Sequence, residues 1–258
     1  MKLFYTRPDR YLHLGVFPEA RTVALRIGGA PAFMHGLRAL FISDVHLRPG
    51  VSDERLGALT AQIAAEKADL LLLGGDYAET PQDCLRFFDA LKGLSFPLGA
   101  YAVPGNNDAA SRDTLAQTAK RAGVTLLKNT TTVIDLPEGR LCIGGCDDHK
   151  YGTPLTAGLF SGSEAYRILL SHFPVTPDCE CDLVLCGHTH GGQCNLLGIT
   201  PYSVGFERRF RLLGVRGLHK TGCGRMFIGN GIGVSRVPLR LGAQPQIYLL
   251  EFGSEDLI

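Results

Sequence analysis

The chain has 258 residues, 45% of them hydrophobic, and its 26 basic and 25 acidic side chains give a formal net charge of +1. That length supports one α/β domain with a sizeable core, and the near-neutral balance lacks the basic stripe needed to track a phosphate backbone, which argues against nucleic acid as partner. No run of about 18 apolar residues is present, and Met1–Arg10 (MKLFYTRPDR) has charges and a proline where an export signal needs an apolar stretch, so the expected location is the cytoplasm, with a lipid reached from the membrane surface left open.

Residues 1–35 read as a lead-in packed on the domain, with a strand at Thr22–Ile27. Its Phe4, Tyr5, Tyr11, Leu12 and Phe17 are apolar enough to meet a membrane or partner, and packing on the domain is the favoured reading. Residues 36–258 form the main domain. Leu37–Ile42 is a strand ending at Ser43-Asp44, and Ser52 or Asp53 caps a helix running to Lys67. Leu70–Leu73 is a buried strand ending at Gly74-Gly75-Asp76. Thr80 and Pro81 open a second helix, with Pro81 suited to its first turn. Leu98–Val103 ends at Pro104-Gly105-Asn106, and Ser111 starts a helix through Ala122. Such βαβ alternation implies a parallel sheet with helices on its faces. Beyond it, Thr132–Asp135, Leu141–Gly144, Arg167–Ser171, Leu183–Cys186, Met226–Ile228 and Ile247–Phe252 read as strands with few helices between them. The expected architecture is two sheets packed together with helices outside.

Five of these strands end in a small residue followed by a carboxylate, carboxamide or imidazole: Asp44-Val45-His46, Gly75-Asp76, Gly105-Asn106-Asn107-Asp108, Ser171-His172 and Gly187-His188-Thr189-His190. In open α/β sheets, ligands sit at the carboxyl ends of the strands. Oxygen and imidazole donors without thiolate suit manganese, iron or zinc. Two residues apart on an extended loop, Asp44 and His46 can chelate one ion, and His188 and His190 have the same spacing. A shared carboxylate, best assigned to Asp76, can hold two ions about 3.5–4 Å apart. Such a pair can clamp a phosphoryl group and acidify a bridging water, whose hydroxide attacks phosphorus in line. Each fragment alone has a plainer reading. An Asp after a strand usually caps a helix or forms a turn, a single His is more often surface or core, and GHTHGG is a glycine-rich turn. Five coincidences, all at strand ends, outweigh those readings.

This ordered set resembles the calcineurin-like metallophosphoesterase superfamily over residues 36–252. The extension Gly187–Gln193, the ending Gly231–Arg240 and the segment Gln246–Glu251 resemble the branch that holds the YkuE-like and YaeI-like bacterial phosphodiesterases and an enzyme cleaving UDP-diacylglucosamine. The resemblance implies a four-layer αββα sandwich of two mixed β-sheets flanked by helices. It implies Asp44, His46 and His190 on a first divalent ion, Asn106, His172 and His188 on a second, and Asp76 bridging both. It also implies a phosphate-ester substrate, a diester more than a monoester: a nucleotide-linked lipid, a phospholipid-like diester or a small nucleotide. Two positions depart from the pattern. The His that usually follows the metal-binding Asn, thought to aid the leaving group, is Asn107 here, which donates a hydrogen bond but supplies no proton. His149, in the loop Cys146-Asp147-Asp148-His149, is the candidate replacement, against the plainer reading of a loop His. The family's second Asp after Gly-Asp is Glu79.

Eight cysteines in a chain of this length without an export signal read as reduced thiols. Cys179, Cys181, Cys186 and Cys194 cluster near the His-x-His, but their irregular spacing does not favour a separate zinc site. Arg208, Arg209, Arg211 and Arg216, interleaved with Phe206 and Phe210, either meet an anionic substrate or form a solvated loop face, the latter favoured. Two other functions compete with the hydrolase. A catalytically impaired scaffold is disfavoured by seven competent ligand positions, and a nuclease of the same superfamily by the charge.

Overall fold

The computed structural model describes residues 7–160, 162 and 166–254. Phe4 and Tyr5 of the lead-in lie outside the described residues. The first half alternates strands and helices, with β1 and β6 added to the elements its periodicity predicts: β1 (Leu12–Leu14), β2 (Arg21–Ile27), β3 (Arg38–Ile42), α1 (Asp53–Ala65), β4 (Leu70–Leu73), α2 (Pro81–Leu91), β5 (Ala100–Ala102), α3 (Arg112–Arg121) and β6 (Val124–Leu126). Strands follow: β7 (Thr130–Leu136), β8 (Gly139–Gly145), β9 (Tyr166–Leu170), β10 (Leu183–Cys186), β11 (Gly217–Thr221), β12 (Gly224–Ile228), β13 (Leu239–Leu241) and β14 (Gln246–Phe252). Local chemistry starts the helices where expected. Ser52 Oγ accepts the Arg55 amide at 3.3 Å to cap α1, and Thr80 Oγ1 accepts the Asp83 amide at 3.1 Å to cap α2, with Pro81 at its first position.

The strands form two six-stranded sheets and a small ribbon of β1 with β13. In the first sheet the order is β2-β14-β3-β4-β5-β6, with β3 to β6 parallel and β14 antiparallel to β3. Arg21–Ile27 of the lead-in pairs in parallel with β14 along its whole length. The second sheet runs β11-β12-β10-β9-β8-β7, with β8, β9, β10 and β12 parallel and hairpin partners at both edges.

Alternation along each strand builds the layers. In β4, Leu71 and Leu73 face the helices while Leu70 and Leu72 face the second sheet, so the run LLLL is apolar throughout because both faces are covered. Between the sheets, Phe41 and Leu72 meet Ile143, Ile168, Leu170 and Leu185. On the helical side, Phe87, Phe88 and Leu91 of α2 cover Leu71 and Leu73. The outer face of the second sheet is covered differently: Leu169, Val184, Cys186, Met226 and Ile228 lie under Leu159, Phe160 and Leu213. The two mixed sheets therefore stack as expected, with the α-helices on the first sheet and loop segments as the fourth layer. Pro174 and Pro177 in the β9–β10 connection leave no room there for a helical period. Among the described residues, no helix is long and apolar enough to cross a membrane.

The inter-sheet core admits little relaxation around Phe41. A Cβ added at Gly74 would lie 2.9 Å from its ring, so backbone already closes against it. Phe41→Ala is expected to cost about 3–5 kcal/mol of unfolding free energy, read from a urea melt. A cost below about 1 kcal/mol would mean that this layer collapses around the lost ring.

Candidate metal centre

Strand direction assembles the site. Asp44 and His46 follow β3, Asp76 follows β4, Asn106 follows β5, His172 follows β9, and His188 and His190 follow β10. All leave the carboxyl ends of parallel strands, from both sheets, and converge. Five of the seven hold the left-handed backbone: Asp44 (φ 52°), His46 (46°), Asp76 (58°), His188 (71°) and His190 (52°). That region costs a non-glycine residue roughly 1 kcal/mol or more. Its concentration at the strand ends turns these side chains inward. The turns are tied to one another, once across the sheets and once within the first. The His188 amide donates to Asp44 Oδ1 at 2.9 Å, and the His46 amide to the Asp76 carbonyl at 3.1 Å. Glycine is required beside the carboxylates, because a Cβ at Gly105 would stand 2.2 Å from Asp76 Oδ1 and one at Gly187 would stand 2.4 Å from Asp44 Oδ2.

The donor atoms form two overlapping groups, Asp44–His46–His190 and Asp44–Asp76–His172, each with its ligand atoms within 4.8 Å of one another. Asp76 Oδ2 lies 3.3 Å from His46 Nε2 and 3.4 Å from His172 Nε2, and His190 Nε2 lies 3.5 Å from Asp44 Oδ1. The histidine rings share one pattern. His46 Nδ1 is 2.6 Å from Glu79 Oε1, His172 Nδ1 is 2.8 Å from the Gly74 carbonyl, and His188 Nε2 bonds to Glu207. Their opposite nitrogens, His46 Nε2, His172 Nε2 and His188 Nδ1, are buried without a hydrogen-bond partner, as is Asn106 Oδ1. An unsatisfied buried acceptor costs about 1–3 kcal/mol. Four in one place, each with its far side anchored, fit a divalent cation held by imidazole and oxygen. Neither group contains a cysteine, and the eight thiols are free.

The electrostatics point the same way. Burial would depress His46 and His172, but Asp76 beside both, and Glu79 against His46, overcome it and push them up to about 9 and about 10. Asp76 is held well below the usual carboxylate range by the same two histidines, against the pull of burial. Burial, helped by His46 and Arg240, keeps His190 well below its ordinary value. Protons thus occupy His46 and His172 near neutrality, where a metal would replace them.

Several further residues hold these side chains, and of them only Asp108 belongs to a strand-end motif of the sequence. Asp108 accepts the amides of Asp76, Tyr77 and Gly105 at 2.8–2.9 Å, and burial and Asp76 push its carboxyl up to about 7. Arg240 is fully buried and donates to the carbonyls of Gly233, His190 and Asn230 at 2.8–3.2 Å. Gln193 donates to Ser235 and Val237 at 2.9 and 3.1 Å, which locks the Gly187–Gln193 motif onto the Gly231–Arg240 segment. Glu207, in the arginine-rich loop, reaches both His188 and, at 3.4 Å, Lys150. Asn107 lies at the centre, with Nδ2 3.0 Å from both Glu79 Oε1 and His46 Nδ1. His149 does not line the cleft, whereas its neighbour Lys150 does, but its ring lies 5.6 Å from Phe173, which stacks on His188, and its Nδ1 is buried without a hydrogen-bond partner. That cleft has a volume of about 710 Å³ and is walled by Asp76, Asn106, His188 and His190 below and Phe206 and Arg236 above.

Residues 37–192 match the family described as calcineurin-like phosphoesterase. The chain belongs to that family. It is 29% identical over 238 residues to the uncharacterized metallophosphoesterase YkuE of Bacillus subtilis, covering 88% of this chain and 82% of that one. It is 32% identical over 228 residues to the phosphodiesterase YaeI of Escherichia coli, covering 83% and 81%. The solved phosphopantetheinyl hydrolase PptH of Mycobacterium tuberculosis aligns with a TM-score of 0.45 at 13% identity, over 81% of this chain and 96% of that chain. Membership makes the chain a metal-dependent phosphoric ester hydrolase, and the clustered carboxylates and imidazoles are its candidate metal ligands.

Proton displacement gives the centre a measurable pH dependence. His46 and His172 sit above their ordinary value in the metal-free protein. Metal uptake near neutrality therefore expels protons, and affinity rises with pH toward 9. Calorimetry with manganese at pH 7.5 in buffers of different ionisation enthalpy is expected to show about two protons released per loaded chain. Uptake without proton release would contradict this arrangement of charges.

Proposed function

We propose that the chain is a phosphodiesterase loaded with two divalent cations, manganese, iron or zinc. Asp44, His46 and His190 hold one, Asn106, His172 and His188 hold the other, and Asp76 serves both. The observation that carries this reading is the set of donor atoms buried at the strand ends: His188 Nδ1 and Asn106 Oδ1 make no hydrogen bond, and His46 Nε2 and His172 Nε2 face only the carboxylate of Asp76. Bound cations supply Lewis acidity for the phosphoryl oxygens and lower the pKa of water. The chain's own residues orient and hold. Glu79, the Gly74 carbonyl and Glu207 anchor one nitrogen each of His46, His172 and His188, so that the opposite nitrogen is the one a cation would meet. Lys150 and Arg236 bring positive charge to the cleft wall, where an anionic substrate enters. Asn107 offers an amide donor in place of a proton donor, which suits a substrate whose leaving group departs as a stable anion. The preference for a diester is supported by the phosphodiesterase name that YaeI bears. A cleft of about 710 Å³ accommodates the headgroup of a nucleotide-linked lipid, a phospholipid-like diester or a small nucleotide.

Metal analysis and turnover test this together. The manganese-loaded protein is expected to carry about two equivalents of metal and to hydrolyse bis-p-nitrophenyl phosphate faster than p-nitrophenyl phosphate. Asp76→Asn should retain less metal and lose about 10²–10³-fold in turnover. No hydrolysis of either ester with manganese, iron or zinc would remove the proposal.

Asn107→His supplies a second test. It should raise turnover of an alkyl diester by about tenfold or more while leaving the aryl diester nearly unchanged, because general acid help matters for the poor leaving group. Equal effects on both esters would show that position 107 does not govern leaving-group departure.

A further inference from the structure

Exposed apolar side chains are concentrated on loops and a ribbon that reach the cleft wall at Phe206 and Val237. Twelve large ones are exposed among the described residues, and eight lie on the loops and ribbon of this rim: Leu12, Leu14, Leu196, Leu197, Ile199, Val204, Phe206 and Val237. These segments are hydrogen-bonded into one surface. Leu12 pairs with Leu241 and Leu14 with Leu239, Cys194 bridges to Leu241, and the Asn195 amide donates to the Leu241 carbonyl at 2.7 Å. Leu12 and Leu14 alternate outward on one strand face.

One turn on this rim breaks the usual local rule. Leu196 and Ile199 bridge as a hairpin whose two turn residues, Leu197 and Gly198, have φ of 54° and 92°. Such turns favour Asn, Asp or Gly in both places. Here the first is a leucine, 79% exposed, that gains no core contact to offset its backbone. A strained apolar residue aimed at solvent has to be explained by what covers it.

Charge identifies the cover. Arg208, Arg209, Arg211 and Arg236 are exposed on the same loops, and Arg236 lies over the Phe206 ring at 5.1 Å. The only acid between Cys194 and Arg216 is Glu207, which turns inward to His188 and Lys150. Apolar tips interleaved with arginines and free of outward acids match an anionic lipid surface, where tips enter the acyl boundary and guanidinium groups meet phosphates.

We propose that this rim seats the protein on an anionic bilayer with the cleft facing the lipid headgroups. The substrate is then an amphiphilic phosphodiester taken from that surface, a step that rests on the hydrolase reading above, whereas the docking itself does not.

Vesicle flotation of the full chain tests it, using phosphatidylcholine vesicles with and without phosphatidylglycerol. The wild type should float with the anionic vesicles and less with phosphatidylcholine alone, and its binding should fall as salt rises. The paired variant Leu14→Asp, Leu197→Asp changes two exposed tips that do not line the cleft. It should bind anionic vesicles about tenfold more weakly, with its melting temperature and its turnover of soluble bis-p-nitrophenyl phosphate unchanged. The proposal fails if the wild type stays in the soluble fraction or if the variant floats equally well. It also fails if the wild type forms a concentration-dependent dimer that the variant abolishes, since the rim would then be an interface between copies. A failed hydrolase reading looks different: no turnover of the soluble diester, with flotation intact.

Discussion

Asp76 binds the two halves of the molecule together at the point where their strands end. Its carboxylate comes from the first sheet and lies within 3.4 Å of His172, which comes from the second, and within 3.3 Å of His46 on its own side. A carboxylate this deeply buried needs opposite charge nearby. In the metal-free protein the two imidazoles supply it by holding protons. A divalent cation held there would take over that role and meet the same oxygens. The buried carboxylate is thus compensated by the protonated imidazoles alone, which allows a cluster of like donors to survive folding.

Much of the surrounding structure exists to keep that carboxylate in place. Asp108 takes the amides on either side of it, the Asn107 amide donates to its Oδ1 at 2.7 Å, and Gly105 leaves the space a Cβ would fill. Positive φ at five ligand positions is the conformational cost of aiming side chains from a strand end back over the sheet edge. The dense apolar layers beneath, with Phe41 and Leu72 on one side and Leu71 and Phe87 on the other, hold the strand ends rigid enough for such strain to persist.

The seven residues expected to hold metal stood out in the sequence because each follows a local mark of an apolar run and a small residue, and five of them, Asp44, His46, Asp76, His172 and His190, fall in the two clustered groups. Leu70–Leu73 and Leu183–Cys186 appear as strands with the boundaries their apolar runs predict. Glu207, Arg240 and Gln193 left no such mark. Their roles depend on partners 19, 50 and 42 positions away, and a single charged or amide residue in a loop is ordinarily solvated. The three-residue strands β1, β6 and β13 were missed because no alternation shows in so short a piece. Among the described residues the outer face of the second sheet is covered by loops rather than α-helices, since prolines in its connections carry no helical period even where the sheet beneath is apolar.

The loop from Val204 to Glu207 joins the surface to the centre within four residues. Val204 and Phe206 point to solvent at the rim, while Glu207 holds the imidazole of His188. Gly205 at φ 103° and Glu207 at φ 54° make the reversal that sends neighbouring side chains in opposite directions. Any surface that displaces Phe206 therefore acts, one residue on, upon the carboxylate that sets which nitrogen of His188 is bare. The Tyr202 hydroxyl, 3.2 Å from the His188 carbonyl, ties the start of the same loop to the same histidine. The exposed rim and the His188 imidazole are thus joined by one short stretch of backbone, which explains why an otherwise exposed, arginine-rich loop keeps a single acid turned inward.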